Sequence, residues 1–400
     1  MRRPCGRVLR VRDPIHNYIH LDELGADLVD APRVQRLRRL HQLGTGNLVY
    51  PGANHTRFEH SLGAWHLAER AARSLGLTDG ERQAVKAAAL LHDVGHGPFS
   101  HTCDALYRDY LGKSHEDVTI EWLQRGNLPE VLARHGVDAR EVARLVRGEG
   151  PLGSLVSGDV DVDRLDYLVR DSHYTGVSIG VDLARLVEDV VLTPEGVALR
   201  EGSITAAEML LVTRVQMYAA VYLHRTCRVG ERMIERAFRL ALDAGEIRPE
   251  QLTQMDDAAA TMLLRHSKTD AWRLFLAVDQ RKLMKVALEE PLRDFREDAL
   301  AELAASTKRQ HALEQEIAVA LGVPPLDVIV DAPELPAMPE HGARIILDDG
   351  RVVPLDEVSS LVRGLGEAQR DHWRLRVIVP SAKRAEAPAK AGPILHKHLS

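Results

Sequence analysis

The sequence predicts a mainly α protein: a helical body over residues 1–325, a small α/β appendage over 326–380, and a disordered tail over 381–400. Three observations carry this. Helical periodicity dominates to about residue 325. Two Thr-x-x-Glu capping boxes, Thr78 with Glu81 and Thr205 with Glu208, mark helix starts. From Val328 the composition changes to VIVDAPELPAMPEHGARIILDDGRVVPLDEV, rich in proline and β-branched residues. With 400 residues, 45% of them hydrophobic, the chain can bury a large core.

Taken in order, the Thr78 box opens a helix through Ala84 to Asp93, and the glycine-bounded GVALREGSI reads as a short hairpin. The Thr205 box opens a helix through Leu210 to Leu240, followed by helices over 256–290 and 291–321. Asp349-Gly350 is a hairpin turn, a helix follows over 356–370, and Trp373 to Val379 reads as a strand. The ending SAKRAEAPAKAGPILHKHLS has the Ala, Lys and Pro bias of a loose tail. There is no internal repeat.

The formal net charge of −6 gives no global reason to bind nucleic acid or an anionic membrane, so an anion site must be local. Basic residues do cluster at Arg2, Arg3, Arg7, Arg10 and Arg12 and again at Arg33, Arg36, Arg38 and Arg39. No apolar run follows the N-terminal arginines, and no later run is long enough to span a bilayer. A cytoplasmic protein is expected, without membrane or nucleic-acid partners. Cys5, Cys103 and Cys227 are isolated and odd in number, which suits reduced, inert thiols.

The stretch LLHDVGHGPFSH, Leu90 to His101, concentrates histidine beside aspartate. A divalent metal held for hydrolysis needs imidazole nitrogens and carboxylate oxygens converging at roughly 2.0–2.2 Å, with a position left for water or substrate. His92 and Asp93 are an adjacent candidate pair, with His60 in TRFEHSLG and Asp163 in DVDVDRLDYLVRD as partners from elsewhere. Gly95 and Gly97 would end the helix and admit close backbone approach. Alone, a His-Asp pair is more often a surface pair or a satisfied core histidine. Asp104 follows His101 by one turn, the arrangement that keeps a general-acid histidine protonated. Arg214, Tyr218 and Tyr222 stand four apart and would share about 12 Å of one helix face, either as a triphosphate and nucleoside platform or as ordinary amphipathic core.

In order, FEHSLG, LLHDVGHGPFSH and DVDRLDYLVRDSHYTGV resemble the HD-domain phosphohydrolases, in the branch of the SAM-and-HD-domain deoxynucleotide triphosphohydrolases. The resemblance runs from DPIHNYIHLDE to about Arg232, with the HD motifs over about 35–175, and a bacterial relative without a SAM domain is expected. It implies an all-helical HD-domain core and one divalent metal ion, whether Mn, Fe, Mg, Zn or Ni, held by His60, His92, Asp93 and Asp163. It implies that His101 with Asp104 protonates the nucleoside 5′ oxygen, while His96 and His115 contact phosphates; the alternative for these two is a bond to a backbone carbonyl. Arg57, Arg164, Tyr167 and Arg214 fall where relatives contact triphosphate, with Tyr218 toward the base. Gln42 and Asp171 fall at the sugar 3′-hydroxyl, and Leu43 and Tyr222 would crowd the 2′ side. Arg164 replaces a lysine of the mammalian members and Tyr218 a histidine.

Asp30, Gln35 and Arg38 match a guanine-reading regulatory site, implying activation by GTP or a dNTP and assembly into a dimer or tetramer; Leu9 stands where that site has lysine. The alternative is a basic helix packed through Val34, Leu37 and Leu40. The implied reaction is hydrolysis of a deoxynucleoside triphosphate to deoxynucleoside and triphosphate. Rival readings are an HD hydrolase for monophosphates, GTP or alarmones, a nucleotide sensor without turnover, and nucleic-acid binding through the basic N-terminal region.

Overall fold

The computed structural model describes residues 8–335 and 343–400. Arg2, Arg3, Cys5, Arg7 and part of the proline-rich stretch lie outside them. The chain divides into two compact units, one built from the described parts of 1–217, 247–262 and 340–363, the other from 218–246, 263–339 and 364–400.

The first unit is helical around one central helix, Arg57–Ser74. Glu59 fixes its start by accepting from the Thr56 backbone N–H at 2.5 Å and from the Thr56 hydroxyl at 3.1 Å. Its buried side includes Phe58, Leu62, Trp65 and Leu67, because neighbouring helices cover most of its surface. Asp79–Leu91 packs on it, opened as expected by the Thr78–Glu81 box. Val162–Thr175 packs on it from another direction, with Asp161 as N-cap and Gly176 in the left-handed conformation at its end. A short antiparallel hairpin, Leu9–Asp13 with Asn17–Leu21, precedes these helices.

A four-stranded sheet completes this unit in the order Val190–Thr193, Gly196–Arg200, Arg344–Ile346, Val352–Pro354. GVALREGSI therefore supplies the second strand of a hairpin, not a whole one, and Gly196 takes a φ of 127° at the turn. The Asp349-Gly350 turn joins the last two strands as expected, with Gly350 at φ 86°.

The second unit holds a three-stranded antiparallel sheet with Arg374–Val379 between Lys285–Pro291 and Ile329–Asp331. The region 326–380 is thus divided between two sheets in two units. Its last strand, Arg374–Val379, pairs with Lys285–Pro291, a segment expected to be helical but held extended by six cross-strand partners.

Residues 381–400 also differ from expectation. Ala387–Leu399 is a helix, and Ala387, Ala391, Leu395 and Leu399, four apart, bury one face in a core with Leu300, Ile317, Val330 and Val377. Burial of that stripe orders a segment whose overall composition suggested disorder.

The long helix expected from Thr205 to Leu240 is interrupted. An α-helix runs Ile204–Met217, with Thr205 inside its first turn, a π-helical stretch covers Tyr218–Tyr222, and a new helix, Arg225–Asp243, starts from the N-cap His224. Among the described residues, no helix is long and apolar enough to cross a membrane.

Candidate metal centre and its surroundings

The fold brings the four expected ligands together. His60 lies one turn into the central helix, His92 caps the end of 79–91 with Asp93 next, and Asp163 sits in the first turn of 162–175. His60 Nε2 stands 2.9 Å from Asp163 Oδ1 and 3.2 Å from His92 Nε2. His92 Nε2 is 3.3 Å from Asp93 Oδ1 and 3.4 Å from Asp163 Oδ1. The donor atoms of His60, His92 and Asp93 lie within 4.8 Å of one another, and Asp163 reaches both imidazoles. Each ring is fixed by its other nitrogen: His92 Nδ1–H donates to Ala89 O at 2.8 Å, and His60 Nδ1–H donates to Asp166 Oδ2 at 2.9 Å. Both Nε2 atoms are thereby aimed inward, and loss of any proton there on metal binding leaves the tautomer a metal requires. Two neutral imidazoles and two carboxylates suit a borderline divalent cation. The residues present fit such an ion.

Asp166 was not singled out in the sequence, although it follows Asp163 by one turn in DVDRLDYL. Fully buried, it also accepts from His16 Nε2 at 2.6 Å and from Arg170 Nε and Nη2 at 2.8 and 3.0 Å, while Arg170 reaches Asp13 at 2.8 Å. Burial would raise the Asp166 pKa, but the Arg170 charge and these hydrogen bonds hold it well below the usual carboxylate range. Gly63 makes room: a Cβ there would lie 1.8 Å from Asp166 Oδ1. Gly95 does likewise, its Cβ position lying 2.2 Å from His115 O.

The remaining histidines gather beside the ligands. Asp104 serves two rings, accepting from His101 Nδ1 at 2.8 Å and from His115 Nδ1 at 3.1 Å, where the sequence had suggested His101 alone. Burial opposes charge on His115, yet Asp104 prevails and raises its pKa. His96 stacks on His115 with ring centroids 3.8 Å apart and is kept neutral by burial and by the Arg57 charge. His96 Nε2 lies 3.2 Å from Asp93 Oδ1.

Arg57 is buried, donating from Nη1 to Asp93 at 2.6 Å and from Nε to Ser100 Oγ at 2.8 Å. Its Nη2 has no hydrogen-bond partner among the described residues. Arg164 is held on its own loop by the Gly158 carbonyl and stands 3.6 Å from Asp159. Asp163, Tyr167 and Asp171, four apart, share one face of their helix, and Asp171 Oδ1 accepts from the buried His55 Nε2 at 2.7 Å. Gln42 is buried close by in sequence pairing, its N–H bonded to His55 O at 3.0 Å, with Oε1 unpartnered among the described residues. Leu43 lies under Gly46.

Arg214 lies in the last turn of an α-helix in the first unit, whereas Tyr218 and Tyr222 belong to the second. The π-helical stretch that carries the tyrosines breaks the four-residue spacing on which one shared face depended. Their rings meet edge to face with centroids 5.3 Å apart. At the expected regulatory patch, Gln35 bonds Val29 O and receives Arg38 Nε at 3.0 Å, Arg38 lies over the Phe58 ring at 3.6 Å, and Asp30 is exposed at a helix end.

A helical scaffold that gathers His, His-Asp and Asp from three helices defines a metal-site protein of the HD type. An HD domain matches residues 57–171 and an HD-associated region matches 181–397, more than half of the chain. The chain belongs to the HD-domain phosphohydrolase family. It is 34% identical over 94% of its length to an uncharacterized protein of Methanocaldococcus jannaschii, of which it spans 80%. It is 31% identical to the human deoxynucleoside triphosphate triphosphohydrolase SAMHD1 over 59% of this chain and 45% of that protein. The chain thus spans about half the length of the named triphosphohydrolases it matches. Its fold is similar to a crystal structure of a phosphohydrolase from Bacteroides thetaiotaomicron, with a TM-score of 0.74 at 28% identity, over 93% of this chain and 99% of that one.

Proposed function

We propose that the protein hydrolyses deoxynucleoside triphosphates to deoxynucleoside and intact triphosphate with one divalent metal ion. The observation that carries this reading is the juxtaposition of His60, His92 and Asp93, with Asp163 against both imidazoles, beside the Asp104-linked histidines and the buried Arg57. Bound there, the ion supplies Lewis acidity toward a phosphoryl oxygen. Arg57 Nη2 and His96 meet phosphate oxygens, and Arg164 turns from the Gly158 carbonyl to a longer phosphate chain. Water oxygen attacks the α-phosphorus, the bond from phosphorus to the 5′ oxygen breaks, and His101 delivers a proton to that leaving oxygen. Asp104 holds His101 and His115 in the orientation this needs. Gln42 and Asp171 hold the 3′-hydroxyl, and Leu43 sets the preference for deoxyribose.

GTP or a dNTP at Asp30, Gln35 and Arg38 activates the enzyme and promotes its dimer or tetramer in the cytoplasm. Names of relatives support the substrate class: the human and Dictyostelium discoideum matches are a deoxynucleoside triphosphate triphosphohydrolase and its homolog.

The test is chromatography of products from each dNTP with Mn, Mg or Fe, with and without GTP. Deoxynucleoside and triphosphate are expected, faster with GTP; orthophosphate or pyrophosphate overturns the reading.

A further inference from the structure

Asp257 lies outside the 57–171 HD match, in the HD-associated region, yet its carboxylate reaches two segments of the site. It is buried in the first turn of Asp257–Arg265. Oδ1 accepts the Phe99 backbone N–H at 2.7 Å, and Oδ2 accepts the His41 backbone N–H at 2.9 Å and His41 Nδ1–H at 2.7 Å.

What it holds is strained. Phe99 and Ser100 are consecutive, neither is glycine, and both have positive φ, 57° and 54°. Two adjacent L residues in the left-handed region persist only where surrounding contacts over-determine them. Those contacts are explicit. Ser100 Oγ donates to His41 O at 2.6 Å and accepts from Arg57 Nε at 2.8 Å, and a Cβ on Gly44 would lie 2.8 Å from Phe99 O. The turn therefore sits directly on the His41–Gly44 segment, tied through Arg57 to Asp93. His101 is the next residue after this turn and Gln42 the next after His41.

We infer that Asp257 is a positioning residue for the reaction, its carboxylate clamping the turn that carries His101 onto the segment that carries Gln42. The inference rests on the function proposed above for His101. Without the carboxylate, the Phe99 N–H and His41 lose their acceptor, the turn relaxes toward right-handed backbone, and the imidazole leaves its place at the 5′ oxygen. The HD-associated region thereby completes a site whose reacting groups all precede it in the chain.

The experiment uses the full-length, metal-loaded protein and its Asp257→Ala and Asp257→Asn variants. Hydrogen exchange at the Phe99–His101 amides is expected to accelerate in both, more in D257A, since asparagine keeps one oxygen acceptor. With a dNTP, kcat is expected to fall about 10–100-fold in D257A, the scale of an approximately 1 Å misplacement, with a smaller change in KM. With an aryl triphosphate whose leaving group is 4-nitrophenolate, which needs no proton, most of that deficit should disappear. Unchanged exchange at Phe99–His101 overturns the clamp, and an equal deficit for both leaving groups overturns its action through His101. If the wild-type protein cleaves neither substrate, the proposed function itself fails, while the exchange result still decides whether Asp257 holds the turn.

Discussion

Asp166→Asn is the substitution that isolates what lies behind the metal ligands. The wild-type carboxylate accepts hydrogen bonds from His60, His16 and Arg170, and every one of these partners is a donor. An asparagine of the same shape replaces one acceptor oxygen with an NH2 group. Where that group faces His60 Nδ1, the proton moves to Nε2 and the lone pair that should face the metal is lost. Loss of such an outer-shell partner weakens metal affinity by about 10–100-fold, equivalent to about 1.4–2.7 kcal/mol. The buried Arg170 also loses a counter-charge, leaving Asp13 to serve it. Breaking a buried pair costs about 3–5 kcal/mol when a partner is deleted outright, so D166A should be the less stable variant. Competition against a chelating dye gives the metal Kd, and urea unfolding of the metal-free proteins gives the stability. An unchanged Kd in folded D166N would refute the claim that Asp166 sets the His60 tautomer.

Other consequences follow from the same network. In the metal-free protein burial opposes a proton on His60, but its hydrogen bonds to Asp163 and Asp166 win and raise its pKa to about 10. A raised histidine stabilises the metal-free fold fully below its unfolded pKa of about 6.5 and loses that contribution as pH rises through about 10. Metal-free stability from this group should therefore decline over that window, and metal uptake should release protons with affinity rising with pH; a pH-independent Kd would count against it. Gly63→Ala places a methyl group 1.8 Å from Asp166 Oδ1 and 2.5 Å from Arg170 Nη2, so it should force 57–74 and 162–175 apart and lower both metal content and thermal stability. Leu395→Ala, which truncates a fully buried side chain of the C-terminal helix, should cost about 2–5 kcal/mol in urea unfolding, whereas a loose tail would show no change.

The candidate metal ligands were legible because each sits in one of three short motifs, FEHSLG, LLHDVGHGPFSH and DVDRLDYLVRDSHYTGV, whose order carries the family resemblance. What supports them was not. Asp166, His16, Arg170 and Asp257 act through contacts more than a hundred residues apart in places, and an aspartate bonded to a distant histidine looks in sequence like any surface aspartate. Asp257 in MDDAAA reads only as a helix start. Arg36 shows the same difficulty. It belongs to a basic run that suggests solvent, yet it is buried and donates to the Val94 and His96 carbonyls at 2.9 and 2.6 Å, propping the metal-site turn.

Errors of element type have equally local causes. Composition hid the stripe at Ala387, Ala391, Leu395 and Leu399, which period-counting alone could have found. Lys285–Pro291 became a strand because Arg374–Val379 offers it a ladder, a fact of tertiary pairing. Nothing in RVQMYAAVYLHR announces a π-helical stretch, so an unbroken four-residue spacing was the natural but incorrect extrapolation.

Isotopic tracing of the cleaved bond tests the central claim most directly. Hydrolysis of a dNTP by the metal-loaded protein in heavy-oxygen water should put the label in triphosphate and leave the deoxynucleoside 5′-hydroxyl unlabelled. Label in orthophosphate, in pyrophosphate or in the nucleoside would contradict attack at the α-phosphorus.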